Sequence, residues 1–300
     1  MKRILVPCDF SKPSEEAFRT AVSIASKGDG EIHVLYVMDI TFLHGKPTLS
    51  HAYAFNLNFL KDEETEAERK FQALWEKHAP LTLPVKFRYT IGSLLSDIDN
   101  YVRQYKIDLI VMGTHGAGNF GWGSNTEKVV TLVKIPVLSI RQHPTNPVQN
   151  VIVPVLPGWT DTHFITEVNK LQEFYKATIH LLWINTPHEF KSDASSREDL
   201  QQFAANTGLS NYSLNTRSDY TVEEGIYRFA KEINADMIAM ATHGRTGLAR
   251  RLRGSIAGDI VSHIDIPVWT IQPNKSGLGK TENALDLTET QRPSHAATQI

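Results

Sequence analysis

Cysteine is almost missing from this sequence: Cys8 is the single one among 300 residues. One cysteine cannot form a disulfide within the chain, so the class of disulfide-stapled secreted proteins is excluded and a reducing compartment is favoured. We therefore expect a cytoplasmic protein. Cys8 ends an apolar run that indicates a buried strand, so we interpret it as a small packing residue rather than a redox group.

Long apolar runs and strong charge are also missing. No run reaches the roughly 18 apolar residues of a membrane-spanning helix, and the run that follows Met1 is too short for the core of a signal peptide. The formal net charge of -2 offers no broad attraction for nucleic acid or anionic lipid. The remaining composition, 41% hydrophobic and 21% charged, is typical of a globular protein with enough chain for two domains.

A short motif occurs twice, as Met112-Gly113-Thr114-His115-Gly116 and as Met240-Ala241-Thr242-His243-Gly244. Each copy follows an apolar run and precedes a Gly-Ser pair and a predicted helix, namely Gly123-Ser124 with 125–134 and Gly254-Ser255 with 256–263. A buried strand, a glycine-rich loop and a helix N-terminus in this order form an anion trap, because unpaired N–H groups point into the loop. The motif predicts a bound phosphate, against the simpler interpretation that the glycines only permit a tight turn.

The first half alternates between the periodicities of strands and helices, which indicates a parallel sheet with helices as crossovers. Ser11 is positioned to cap the first helix, and Gly28 and Gly30 to stop it. Pro136 near the start of the last strand suggests an edge of the sheet. The predicted strands are 3–8, 31–38, 85–89, 108–112 and 135–140; the later helices are 61–78, 94–105 and 125–134; and 39–60 is interpreted as a loop or lid.

After a proline-marked linker the same order begins again. Val151-Ile152-Val153-Pro154 repeats Ile4-Leu5-Val6-Pro7, and Ile266-Pro267-Val268 repeats Ile135-Pro136-Val137. We predict two tandem domains, 1–143 and 149–272, each an α/β fold with a doubly wound, five-stranded parallel sheet. Residues 273–300 are polar and are expected to form a disordered tail.

In a doubly wound sheet, ligands bind beyond the carboxyl ends of the strands where the strand order reverses. If strands one and four are neighbours there, Asp9 and the loop 113–116 face one crevice. Asp9 can then accept hydrogen bonds from a ribose or an adenine edge, while the glycines and Ser124 hold phosphates. The alternative for Asp9 is a plain helix N-cap.

These residues together resemble the universal stress protein family in its tandem form. The resemblance covers the chain up to Gln272 and depends on Val6-Pro7-Cys8-Asp9, the stretch 108–116, the Gly-Ser pairs and Ile-Pro-Val at the fifth strands. It implies a Rossmann-like fold of the adenine nucleotide alpha hydrolase type and a ligand that is ATP or AMP, with Mg²⁺ as an accompanying ion. It also implies that the fifth strands pair, here within one chain as a pseudo-dimer, with a homodimer as a further option.

Each half departs from the pattern of the family's ATP binders, which is Gly, two residues, Gly, nine residues, Gly, then Ser or Thr. In the first half only six residues, 117–122, separate Gly116 from Gly123, which argues against a triphosphate there. The second half keeps the nine-residue spacing, but Ala241 replaces the first glycine and Leu156 replaces the aspartate. Arginines at 245, 250, 251 and 253 beside the second loop are interpreted as either a solvated basic face or an anion clamp.

Two functions follow from the sequence. The first is a non-catalytic stress-response protein that binds adenine nucleotide in at least one domain and acts through unknown protein partners; slow ATP hydrolysis is compatible with it. The second is an interaction scaffold whose two sites have lost their ligand. The predicted binding residues are Pro7, Asp9, Met112, Gly113, Gly116, Gly123, Ser124, Pro154, Gly244, Gly254 and Ser255, and no catalytic or metal-binding set is predicted.

Overall fold

The computed structural model describes residues 1–39, 57–114, 124–155, 161–187, 190–242 and 265–273. The first half contains β1 (Arg3–Pro7), α1 (Lys12–Gly28), β2 (Glu31–Asp39), α2 (Leu57–His78), β3 (Val85–Gly92), α3 (Leu94–Tyr105), β4 (Leu109–Gly113), α4 (Ser124–Leu132) and β5 (Val137–Ile140). The second contains β6 (Asn150–Pro154), α5 (Thr162–Tyr175), β7 (Thr178–Asn185), α6 (Asp193–Ala205), β8 (Tyr212–Ser218), α7 (Val222–Glu232), β9 (Met237–Ala241) and β10 (Val268–Ile271). Within the described ranges, no helix has both the length and the apolar character needed to cross a bilayer.

All ten strands join one sheet in the order β3-β2-β1-β4-β5-β10-β9-β6-β7-β8. Within each half the strands are parallel, and the two halves meet where β5 pairs antiparallel with β10, with Val268 opposite Ser139 and Thr270 opposite Val137. The Thr270 hydroxyl also donates to the Val137 carbonyl across this seam at 3.2 Å. The pairing of fifth strands within one chain, which the family resemblance implied, is therefore observed.

The expectation that β5 forms an edge of the sheet is wrong, because β4 and β10 flank it. Pro136 precedes the strand, and its carbonyl accepts a hydrogen bond from the Ile110 amide at 3.0 Å. The missing N–H of proline therefore interrupts no ladder even in the middle of the sheet.

Helices cover both faces of the sheet, and the core lies on both sides of it. On one face, residues of α1, α2, α5 and α6 share a continuous apolar cluster that crosses the seam and includes Leu138 and Trp269. The opposite face has a separate cluster under α3 and α4 and another under α7. Cys8 belongs to the first cluster and is 5% exposed, which confirms its packing role.

Local capping explains where the helices begin and end. Ser11 is the N-cap of α1, and its side chain accepts a hydrogen bond from the Ser14 amide. The end of α1 differs from the prediction, because Asp29 rather than a glycine adopts the left-handed conformation, at φ 49°. Lys106 and Lys176 end α3 and α5 in the same way. Polar residues thus take the C-cap conformation that glycine usually provides.

Most of the predicted elements are present, with shifted ends. Helix α3 has the predicted bounds, α2 begins at Leu57 rather than 61, α4 ends at Leu132 rather than 134, and β3 continues to Gly92. Residues 141–149 contain neither helix nor strand and connect the halves, although the exact domain bounds stay a prediction. Most of the lid 39–60, the helix 256–263 and nearly all of the tail fall outside the described residues.

Candidate functional site

Strand β1 marks the point where the strand order of the first half reverses. It pairs in parallel with β2 on one side and with β4 on the other, with Pro7 opposite Leu35 and Leu5 opposite Ile110. The adjacency of strands one and four is therefore confirmed. Met112 is buried as the penultimate residue of β4 and Gly113 is its last, so Gly113 and Asp9, which follows β1, lie at the same edge of the sheet.

A tight turn after β1 holds the Asp9 carboxylate. The Cys8 amide continues the sheet by donating to the Leu35 carbonyl at 2.9 Å, and Phe10 then turns the chain with a positive φ of 59°. Asp9 Oδ1 accepts hydrogen bonds from the Ser11 amide at 3.0 Å and from the Ser11 hydroxyl at 2.5 Å. Asp9 is thus part of an Asx turn and Ser11 is the cap, so the N-cap alternative for Asp9 is wrong.

The electrostatics of this turn keep Asp9 ionised. Burial by itself would raise the pKa of Asp9, but the hydrogen bonds from the Ser11 hydroxyl and amide, with a contribution from Ser14, outweigh it and bring the pKa below its ordinary value. Both hydrogen bonds from Ser11 end on Oδ1, so Ser11 does not engage Oδ2. The residue as a whole is exposed at the switch point, although its neighbours partly desolvate the carboxylate. An ionised, positioned acceptor of this kind suits the hydroxyls of a ribose or an amine donor of a base.

Packing requires a glycine at position 113, and the sequence did not reveal this requirement. A β-carbon at this position would lie 2.2 Å from the Pro13 carbonyl oxygen in the first turn of α1. Only glycine therefore lets α1 approach the end of β4 so closely. The Thr126 hydroxyl in α4 donates to the Gly113 carbonyl at 3.4 Å, and the Thr114 amide donates to Ile140 at 2.7 Å. Gly113 thus joins two helix N-termini at the crevice.

The rest of the first predicted phosphate cradle stays a prediction. His115, Gly116 and Gly123 lie outside the described residues. Ser124 is the first residue of α4, and the placement of its hydroxyl lies outside the described part. The helix begins where the motif predicted it, beyond the end of β4.

The second half repeats the strand geometry without the same side chains. Strand β6 lies between β7 and β9, Pro154 ends it, and the Val155 amide donates to Leu182 at 2.9 Å, as Cys8 does to Leu35 in the first half. Ala241 holds the place of Gly113, and Asp161 caps α5 by accepting from the Phe164 amide at 2.8 Å. Leu156, Gly244, Gly254, Ser255 and the four arginines fall outside the described residues.

An aromatic cluster beside Asp9 was not anticipated from the sequence. Phe10 stacks on Tyr36 with ring centroids 5.4 Å apart, and Tyr36 stacks on Tyr89 at 5.8 Å. Phe87 lies 6.4 Å from Phe10 and 4.6 Å from Phe71 of α2. The alternation of Phe87 and Tyr89 along β3 was the available signal, because alternate residues of a strand share one face. The cluster supplies an apolar wall next to the Asp9 carboxylate.

Metal ligands are not concentrated at this site. Among the described residues, no group of three or more His, Cys, Asp or Glu side chains is arranged to hold a metal ion. The one described acidic side chain at the first switch point, Asp9, already bonds Ser11. The described side chains at the switch point offer a hydrogen-bond acceptor at Asp9 and aromatic surface at Phe10 and Tyr36.

Known proteins share this architecture. The sequence pattern of the universal stress protein family matches residues 1–141 and 168–272. Universal stress protein MJ0531 of Methanocaldococcus jannaschii is 30% identical over 144 residues, which cover 47% of this chain and 82% of that protein. A universal stress protein from Archaeoglobus fulgidus has the same fold, with a TM-score of 0.69 at 17% identity over 91% of this chain and 97% of that one.

A universal stress protein crystallised in complex with cAMP is also similar, at 18% identity and a TM-score of 0.33, over 43% of this chain and 100% of its own. The family match extends over both halves of the sheet, from β1 to β5 and from within α5 to β10. The chain belongs to the universal stress protein family, with two family segments in tandem.

Proposed function

We propose that this protein binds an adenine nucleotide in the crevice of its first half and acts as a non-catalytic stress-response protein through protein partners. The observation that carries the proposal is the ionised Asp9 carboxylate at the switch point between β1 and β4, whose Oδ2 is not engaged by Ser11. A carboxylate in this place accepts hydrogen bonds from a ribose or an adenine amine.

The surroundings of Asp9 support a nucleoside. Phe10 and Tyr36 form an apolar wall against which a planar base can pack. The phosphate would occupy the glycine loop near the N-terminus of α4, where the helix dipole favours an anion. Six residues between Gly116 and Gly123 make a short loop, so AMP fits it better than ATP does.

Mg²⁺ enters this proposal only as the companion of a polyphosphate. The described residues contain no group of three or more metal-ligating side chains, so phosphate oxygens and water would supply most of its ligands. A protein with this donor set binds and positions a nucleotide, and we propose no chemical step on it.

Calorimetry with AMP and ATP tests the proposal. Asp9→Asn keeps the size of the side chain and an oxygen for the Ser11 amide, and we expect it to weaken AMP binding by about tenfold or more, since a hydrogen bond to a charged group contributes ~1.5–3 kcal/mol. Asp29→Asn is the matched control, because Asp29 caps the opposite end of α1. No heat and no thermal shift with wild-type protein at millimolar nucleotide would reject the proposal.

The second candidate is a scaffold without ligand, and the observation behind it is the continuous sheet. Strands β5 and β10 pair with each other, so neither is available to pair with a second copy of the chain. The edges of the sheet are β3 and β8. A scaffold function predicts partner binding that nucleotide does not alter. Nucleotide that co-purifies with protein made without added ATP or AMP favours the first candidate over this one.

A further inference from the structure

A polar cavity lies under the edge strand β3, away from the Asp9 crevice. It has a volume of about 120 Å³, and one water needs roughly 10–15 Å³ on this measure, so it is large enough for a small organic molecule. The base of the cavity includes Leu35 and Tyr101, both buried, and its polar lining includes Arg88, Thr90, Asp97, Asn100 and Gln104.

Two regular elements place these side chains together. Arg88 and Thr90 are two residues apart in β3 and point to the same face of the sheet. Asp97, Asn100 and Gln104 follow one another at helical spacing along α3, so they share the side of the helix that faces this strand. The cavity is thus the space between one face of β3 and one side of α3.

An acid in this cavity has an unused oxygen. Among the described residues, the buried Asp97 Oδ2 has no hydrogen-bond partner, and neither has the buried Thr90 hydroxyl oxygen. A β-carbon on Gly92 would lie 2.5 Å from this Oδ2, so the glycine leaves the space that the carboxylate occupies. Burial raises the pKa of Asp97 because nothing in the described structure compensates the charge. Buried polar atoms without a partner are rare in proteins, and both of these oxygens can accept a hydrogen bond from a ligand.

A positively charged side chain in the same cavity also has no ion-pair partner among the described residues. Arg88 is exposed and forms no ion pair with Asp97 or with any other described carboxylate. Other charged residues nearby are paired: Lys86 bonds Glu31 at 2.7 Å, and Arg103 bonds Asp99 within α3. The guanidinium of Arg88 and the carboxylate of Asp97 therefore line one small cavity without forming an ion pair.

The base of the cavity is rigid. The Tyr101 hydroxyl hydrogen bonds with His33 Nδ1 at 3.0 Å, and His33 Nε2 lies 3.0 Å from Glu31 Oε1. Tyr101 also packs on Tyr105, with ring centroids 4.2 Å apart. Such a network holds the cavity open in one shape, so a ligand is not required to order it.

We propose that this cavity binds a small zwitterion of the α-amino acid class, with its ammonium group at Asp97 and Thr90 and its carboxylate at Arg88. The Asn100 and Gln104 amides at the exposed rim supply further hydrogen bonds. The volume suits a ligand with a short side chain, of the size of glycine or alanine. This site would be independent of the nucleotide crevice.

Binding of alanine to the full-length protein, measured by calorimetry or ligand-observed NMR, tests the proposal. We expect binding of alanine and glycine, and much weaker binding of ethylammonium or propionate, each of which carries only one of the two charges. Asp97→Asn and Arg88→Gln are expected to weaken alanine binding by about tenfold or more. Asp99→Asn and Arg103→Gln, which lie on the same helix and pair with each other, are the matched controls and should leave it unchanged.

Asp9→Asn is expected to leave alanine binding unchanged, so failure of the nucleotide proposal and failure of this one are distinguishable. The proposal is overturned if wild-type protein binds no amino acid at millimolar concentration, or if ethylammonium or propionate alone binds as tightly as alanine. Unchanged affinity in folded Asp97→Asn and Arg88→Gln proteins would also overturn it. The comparison of ligands uses wild-type protein only, so it decides the question even if a variant does not fold.

Discussion

Gly113 at the end of β4 lies directly against Pro13 in the first turn of α1, where a β-carbon would come within 2.2 Å of the proline carbonyl oxygen and 2.3 Å of its carbonyl carbon. Both obstructing atoms belong to the backbone, so they cannot move aside as a flexible side chain would. The contact sets the distance between α1 and the sheet at the mouth of the crevice.

Gly113→Ala is therefore expected to destabilise the protein by about 1–3 kcal/mol through overpacking, and to weaken AMP binding because Ser11, which positions Asp9, is the N-cap of α1. Urea denaturation and calorimetry measure the two effects. Ala241→Gly makes the opposite change at the equivalent place in the second half and should cost only about 0.5–1 kcal/mol. A fully stable Gly113→Ala protein would contradict the close contact.

Trp269 is the largest side chain at the seam between the halves. It is 1% exposed, stands opposite Leu138 of β5, and lies 6.2 Å from the Phe164 ring of α5. Trp269→Ala should lower the free energy of unfolding by about 3–5 kcal/mol. Because its indole N–H has no hydrogen-bond partner in the described part of the chain, Trp269→Phe should cost less than about 1.5 kcal/mol.

Urea denaturation followed by circular dichroism measures these losses, with Tyr220→Ala as the control. Tyr220 is 79% exposed, so its truncation should change the free energy of unfolding by no more than about 0.5 kcal/mol. Equal losses for Trp269→Ala and Tyr220→Ala would show that the seam contributes little to stability.

Cys8 should be unreactive in the native protein. Burial raises the pKa of its thiol from 9.0 to about 11, so the thiolate fraction at pH 8 is about 100-fold lower than that of an unperturbed thiol. Because Cys8 is the single cysteine, reaction with a chromogenic disulfide reports on it alone. We expect slow labelling in buffer and fast labelling in urea. Labelling of folded protein at the rate of a free thiol would be inconsistent with the buried position.

The raised pKa of Cys8 also has a consequence for stability. The native state holds the thiol proton more tightly than the unfolded state does, so the stabilising contribution is complete below pH 9 and is lost as pH rises towards about 11. Cys8→Ala should lose less stability than the wild type between these pH values. Thermal denaturation at pH 8 and at pH 10.5 measures the difference.

Asp9 should remain a carboxylate throughout the range in which the nucleotide site is tested. Its pKa lies below its ordinary value of 3.8, because the Ser11 hydrogen bonds outweigh the effect of burial. Adenosine has no phosphate that titrates, so its affinity should stay constant between about pH 5 and pH 8. A titration with a midpoint near pH 6 would assign ligand binding to another group, such as a histidine.

Regular elements could be predicted because their signals are local. Helix α3 has the predicted bounds, since Gly92 and Ser93 precede a stripe in which Ile98 is fully buried. The interior position of β5 does not follow from its own residues, and only the family resemblance implied a partner for it. Pro136 is compatible with an edge when only its own strand is considered, and the partner β10 lies more than a hundred residues further along the chain.

In the candidate site, too, local features could be predicted and contacts between distant segments could not. Asp9 and Gly113 were predicted from a motif, whereas the Asx turn with Ser11, the contact with Pro13 and the aromatic wall at Tyr36 were found in the structure. The reason is that a motif records which residue types recur at a spacing. It does not record which backbone atoms approach a residue from another segment.

The sequence by itself determined the periodicities, the duplication and the family, because apolar spacing and short motifs act within a few turns of helix or a few residues of strand. Tertiary structure alone decided that Gly113 lies against Pro13 and that Arg88 and Asp97 line one cavity without pairing. These relationships depend on how segments pack across the sheet, and packing distances between distant segments are set by the whole fold.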